Sequence, residues 1–160
     1  MAAVEYFLKI DGVDGESTDD KHAGEIEVLS WSWSEANPSP GAGGGGGGAG
    51  KVQMQDFHFT ARVSKASPKL LVACASGQHV PKARLTCRTG GKAQQEFLKI
   101  TFSDVLVSSF QTGGSSDVVP LDQVSLAYAK IEIEYREQKA NGTLGAAVKA
   151  GWDVKSNKKL

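Results

Sequence analysis

The sequence predicts an all-β protein, a barrel or sandwich of two antiparallel sheets with a single short helix. Three observations predict it. Segment after segment alternates apolar and polar residues with the period of two that a half-buried strand shows. Clusters of Gly, Asp, Asn and Pro punctuate these segments, and only one stretch carries the residues that start and stop a helix. Short strands at regular spacing with one helix are the pattern of a barrel or sandwich.

Val4, Tyr6, Leu8 and Ile10 alternate with Glu5, Phe7 and Lys9, so the first strand has one apolar face and a partly apolar second one. Asp11-Gly12 through Thr18-Asp19-Asp20 is turn chemistry, and its acidic side chains are expected to be solvated. Ile26 to Ser34 is the second strand. Within it Leu29, Trp31 and Trp33 alternate with Ser30, Ser32 and Ser34, which predicts a large apolar face in the core and a neutral hydroxyl face at a wetted surface. Asn-Pro and Ser-Pro steps then exclude regular structure, and the glycine tract offers nothing to pack, so residues 38–51 are expected to be a mobile loop. Val52 to Val63 is the third strand. Gln53, Gln55, Phe57 and Phe59 share one face while Val52 and Met54 take the other, which predicts a bulge or barrel bend midway.

Ser67-Pro68 followed by Leu70, Leu71, Cys74 and Gly77 is the helix signal, with Ser67 as N-cap, Gly77 as stop and the two leucines and the cysteine on one side. Such a helix is expected to plug one end or flank of the sheet. Leu85 to Arg88 and Phe97 to Phe102 flank Thr89-Gly90-Gly91-Lys92 as a hairpin. Val105 to Phe110 is a further strand, Gly113 to Pro120 a loop, and Val124 to Tyr135 a long strand whose apolar face switches partway. Trp152 and Val154 begin a last strand, and residues 155–160 are a polar tail.

A chain of 160 residues reads as one domain, residues 1–160, large enough to bury about 70 % of its unfolded surface. Eighteen basic and 18 acidic residues cancel, so no global field draws nucleic acid or an anionic membrane, and one barrier to self-association is removed. No apolar run approaches the ~20 residues of a spanning helix, so membrane insertion is not expected. Glu5 stands where a secretory signal is basic, which predicts folding in the cytoplasm and, for any export, a route other than a cleaved signal peptide. Cys74 and Cys87, without a CxxC, read as free thiols in a reducing compartment.

The motifs that suggest chemistry are incomplete. Gly45 to Lys51 spells GxxxxGK, but Val52 stands where magnesium needs a hydroxyl, prolines precede the tract, and strand period follows it. The acidic turn lacks the spacing of a calcium loop, and His22, His58 and His79 make no zinc signature with the two cysteines. No nucleophile elbow occurs. No catalytic residue, metal or cofactor is therefore expected, and a small hydrolase or nucleotide-binding protein is the weakest reading. Trp31, Trp33 and Trp152 keep open a monomeric β-sandwich carbohydrate-binding module, which requires Trp31 and Trp33 to be exposed.

Six stretches in order, YFLKIDGVDGES (Tyr6 to Ser17), HAGEIEVLSWSW (His22 to Trp33), GAGKV (Gly48 to Val52), SPKLLVACASGQH (Ser67 to His79), FLKITFSDVLVSSFQTGG (Phe97 to Gly114) and GWDVKSNK (Gly151 to Lys158), resemble the haemolysin-coregulated protein (Hcp) family of bacterial type VI secretion. The resemblance implies a β-barrel subunit assembling as a homo-hexameric ring, with rings stacked into a tube. A contractile sheath would propel that tube behind a spike protein, and secretion effectors would be carried in its lumen. It implies that the segment holding Ser30, Ser32 and Ser34 lines the channel. It also implies that the Gly-rich loop, with Gly43, Gly48, Gly50 and Lys51, helps rings stack. The protein would fold in the bacterial cytoplasm and leave through the secretion system itself.

Overall fold

The computed structural model describes residues 3–38 and 51–160. In chain order the strands are β1 (Val4–Ile10), β2 (Ile26–Ser32), β3 (Glu35–Ala36), β4 (Gln53–Met54) and β5 (Phe57–Arg62). The helix α1 (Ala66–Ser76) follows, then β6 (His79–Thr89), β7 (Glu96–Ser115), β8 (Val118–Ala127), β9 (Lys130–Gln138), β10 (Leu144–Asp153) and β11 (Lys158–Lys159). Six strands close on themselves in the order β6-β1-β2-β5-β8-β7, every pairing antiparallel, so the all-β expectation takes the form of a barrel. Closure removes the free edges that an open sheet of this size would leave. A ribbon of β9, β10 and β11 continues the sheet outward from β7, and β3 and β4 form a small separate arm.

The barrel interior is filled by the inward residues of each strand. Leu8, Phe57, Leu85, Phe102, Val105 and Leu126 are fully buried there. Each such side chain contributes about 1.5–3 kcal/mol through removal from water.

Several elements differ from the sequence reading. In β2 the register against β5 shifts between Val28 and Ser30, so Leu29 is the extra residue of a bulge and stands 42 % exposed instead of joining Trp31 and Trp33. The inward residues are Ile26 and Val28 before the bulge and the half-buried Trp31 after it. The expected third strand is two strands, broken at Gln55 and Asp56, which is where the bend was expected. Gly113 to Pro120 is not a loop: β7 runs 20 residues through both glycines, and the hairpin to β8 turns at Ser116 and Asp117, the latter at φ 68°. The single long strand expected over Val124 to Tyr135 is interrupted at Tyr128 and Ala129, separating β8 from β9 where the apolar face switches. Trp152 and Val154 do not open a strand; Trp152 is near the end of β10. The tail is not free, because Lys158 and Lys159 pair with Asp153 and Trp152.

Helix α1 starts one residue before its expected cap. Lys65 occupies the N-cap position without a side-chain bond, and Ser67 lies inside the first turn. Its hydroxyl donates to Asp122 on β8 and accepts from the Ser64 amide at 3.0 Å, fastening the helix to the barrel wall. Leu70 is buried as expected, whereas Leu71 is 53 % exposed, because Ala66, Leu70 and Ala73 make the inward stripe. Gly77 stops the helix at φ 65°, with the Gln78 amide reaching the Ala73 carbonyl at 3.1 Å.

Among the described glycines, Gly15 makes the tightest backbone approach. A Cβ there would lie 2.5 Å from the Glu25 carbonyl oxygen and 2.7 Å from its carbon, both backbone atoms that cannot turn aside. Gly15→Ala is expected to destabilise the protein by about 1–3 kcal/mol, as overpacking does, measured as a lower urea midpoint at unchanged slope.

Candidate polar face and its supports

Closing the barrel brings the outward residues of four strands into two parallel rows. Ser32 on β2 is paired with His58 on β5, His58 with Ser125 on β8, and Ser125 with Ser109 on β7. One rung along, Ser30 pairs with Thr60, Thr60 with Gln123, and Gln123 with Gln111. These eight side chains rim a shallow hollow of about 520 Å³ whose floor is Trp31, Phe59, Phe110 and Val124. Seven are uncharged hydroxyls or amides and one is an imidazole. The His58 Nδ1 lies 2.6 Å from the Ser125 hydroxyl. Such a face binds by hydrogen bonds and shape, not by fixed charge.

Ser30 and Ser32 therefore stand outward, as the alternation predicts. Ser34 lies past the end of β2, outside both rows, where its carbonyl accepts from the Gln55 amide at 3.0 Å. Gly43, Gly48 and Gly50 lie outside the described residues, and Lys51 is exposed just before the arm. Of the six partners of the two serines, the sequence drew attention only to His58, and then as a possible zinc ligand rather than as part of this face. Their signal was present as alternation in FHFTAR of β5 and in DQVSL of β8.

The tryptophans do not form a free platform. Trp31 packs into the core against Phe57 at 6.1 Å and edge-on to Tyr6 at 6.0 Å. Trp33 donates its indole N–H to the Tyr128 hydroxyl, which itself donates to the Gln55 carbonyl at 2.8 Å. Burial, with the Asp56 and Glu35 carboxylates nearby, pushes the Tyr128 phenol up to about 12, so it keeps the proton that this bond requires. Trp33 and Trp152 line a second cleft, about 740 Å³, between the arm and the ribbon.

A charged cluster supports the other end of β1. Arg88 on β6, 1 % exposed, donates from Nε and Nη2 to Glu5 at 3.0 and 2.6 Å and from Nη1 and Nη2 to Asp19 at 3.0 and 2.8 Å. It lies over the Phe7 ring at 4.8 Å, and His22 stacks on Phe7 at 4.5 Å. The Arg88 bonds hold the Asp19 carboxyl down at about 2. The acidic turn is thus not wholly solvated: its Asp19 is tied to the barrel. His22 is buried with one ring nitrogen 2.9 Å from Glu25 and the other 2.7 Å from Glu96. The two carboxylates sit on opposite sides of the ring and do not converge on a common point. Against the upward push of burial, the His22 bond and the Lys99 charge hold Glu96 below the usual carboxylate range. Burial pushes the Cys87 thiol up to about 12, leaving it protonated and unreactive.

Among the described residues the chain is a closed barrel with one helix, an outer ribbon and an uncharged polar face, the architecture of a structural protein. The family model described as "Type VI secretion system effector, Hcp" matches residues 7–135. Protein hcp1 of Pseudomonas aeruginosa is 54 % identical over 158 residues, covering 97 % of this chain and 98 % of that protein. The crystal structure of Hcp1 from Salmonella typhimurium is 40 % identical and covers 100 % of both chains, with a TM-score of 0.84. A second solved structure, of a type six secretion system protein, is 35 % identical over 99 % of this chain and 100 % of its own, with a TM-score of 0.92. The chain belongs to the Hcp family of the type VI secretion system. That family is one of structural, secreted proteins and not of enzymes, and its members form hexameric rings.

Proposed function

We propose that this chain, as a single domain over residues 1–160, is a tube subunit of type VI secretion. It closes into hexameric rings that stack and carry effectors past the face containing Ser30 and Ser32, with Ser34 at its margin. The observation that carries this reading is the pair of uncharged rows crossing β2, β5, β8 and β7. A conduit must let varied protein surfaces pass without holding them, and hydroxyls and amides without fixed charge meet that need. A ring also requires two different surfaces on each subunit, joined head to tail. Two exposed apolar patches of different make-up support this, Leu71 and Val72 on α1, and the cross-strand pair Tyr135 and Val148 on the ribbon. The loop of Gly43, Gly48, Gly50 and Lys51 serves ring stacking, and the spike and contractile sheath are the further partners. The protein folds in the bacterial cytoplasm and leaves through the system without a cleaved signal peptide.

Gel filtration with light scattering is expected to give a species of about six subunits, with an open centre in negative-stain images. Ser32→Asp, adding one carboxylate per subunit to the wall, is expected to keep that mass while lowering the effector that co-purifies. A monomer at every concentration sinks the ring. An unchanged effector yield in intact Ser32→Asp rings sinks the carrying role of the face.

A further inference from the structure

His58 is the one titratable side chain in the two rows, and among the described residues no carboxylate pairs with it. From β2 it faces Ser30 and Ser32, from β8 Gln123 and Ser125, and beyond β8 it faces Ser109 and Gln111 of β7. None of these ionises. Along its own stretch of chain the charged positions are Asp56, just before β5 and already accepting from the Ser108 hydroxyl at 2.5 Å, and Arg62, four residues after His58 at the end of β5. No ion pair to His58 occurs among the described residues. Its Nδ1 is engaged by the Ser125 hydroxyl, which fixes the ring. Nε2 meets no partner among the described residues, and the side chain is exposed. A ring so placed has one nitrogen anchored by Ser125 while the side chain lines the hollow.

We infer that His58 is a proton-gated contact for acidic protein cargo, an inference that rests on the proposed reading of this face as the carrying wall. Imidazole is the side chain that gains and loses its charge within the range cells and their surroundings span. When the ring is protonated, each subunit adds a positive charge to the two uncharged rows, and a closed ring repeats that charge around its circumference. Carboxylate-rich surfaces are then held by several charges at once. When the ring is neutral, the wall returns to hydroxyls and amides and the hold is released.

The test uses the assembled protein and a dye-labelled poly-glutamate peptide as probe, with binding followed by anisotropy at about pH 5.5 and about pH 8. Wild-type rings are expected to bind about tenfold tighter at the lower pH, with the difference shrinking as salt is raised. His58→Gln is expected to bind weakly at both values, and His58→Arg tightly at both. Equal affinity at the two pH values in wild-type rings overturns the inference, as does a pH response that survives in His58→Gln. Light scattering on the same samples separates the two readings. Intact rings without a pH response remove the histidine's role alone, whereas loss of the ring at both pH values removes the reading beneath it as well.

Discussion

Arg88→Ala is expected to lower the unfolding free energy by about 3–5 kcal/mol, the cost of breaking a buried ion pair from one side. The guanidinium makes four hydrogen bonds to two carboxylates and covers the Phe7 ring, so its loss acts on three groups together. Glu5 stands 42 % exposed and rehydrates at little cost. Asp19 is 20 % exposed and cannot do so as fully. That difference identifies the turn from Asp11 to Asp20 as the part that detaches from β6. The pH dependence follows from the direction of the Asp19 shift. Its carboxyl titrates at about 2 in the folded protein, below its ordinary 3.8. Its contribution is complete above the ordinary value and is lost as pH falls through about 2. Urea unfolding at neutral and acid pH is expected to show wild type losing stability on acidification across that window. Arg88→Met, which keeps much of the stem's packing, is expected to flatten the same limb. An unchanged acid limb in Arg88→Met would remove Asp19 from the account.

Phe102→Ala is expected to cost about 3–5 kcal/mol, the range for deleting a fully buried ring. Phe102 sits on β7 with its ring 4.8 Å from Phe57 across the barrel interior and 5.0 Å from Tyr128 at the break between β8 and β9. It lies on the strand that the barrel and the outer ribbon share, paired with Ala83 on β6 and with Ile131 on β9. Phe102→Leu, refilling most of the volume, is expected to recover more than half of the loss. Equal losses for the two variants in thermal or urea unfolding would show that ring contacts, not volume, carry the energy at this position.

The features legible in the sequence are those written in local periodicity. Alternation placed Ser30 and Ser32 outward, Gly77 marked the helix stop, and the mismatch between Met54 and Phe57 marked a bend. What was not legible depends on partners remote in the chain. Nothing in ValLeuSer marks Leu29 as a bulge, because the extra residue is defined only by the register of β5 beside it. Gly113 and Gly114 read as a loop, since glycine propensity is a local signal and the pairing of β7 with β8 overrides it. Asp19 and Arg88 are 69 residues apart, and two common charged residues at that distance carry no mark of meeting. The polar face was half legible for the same reason. Its serine strand showed itself, while its extent waited on which strands stand beside β2.

The order in which the barrel closes also sets when a subunit becomes usable. β5 finds its outer partner only in β8, whose Leu126 pairs back to Phe57, and β1 waits for β6 to bring Arg88 opposite Glu5. Pairings so distant in sequence place such topologies among the slower folders, in the range of milliseconds to seconds. During synthesis the ribosome releases β1, β2 and β5 well before β8. Until residues 118–127 emerge, the nascent chain is an open sheet with β5 unpaired along one side and its apolar interior uncovered. The four-strand wall of hydroxyls does not exist at that stage. A nascent chain therefore lacks this four-strand face altogether, and a truncation before β8 is expected to be a target for chaperones and proteases rather than a smaller working copy.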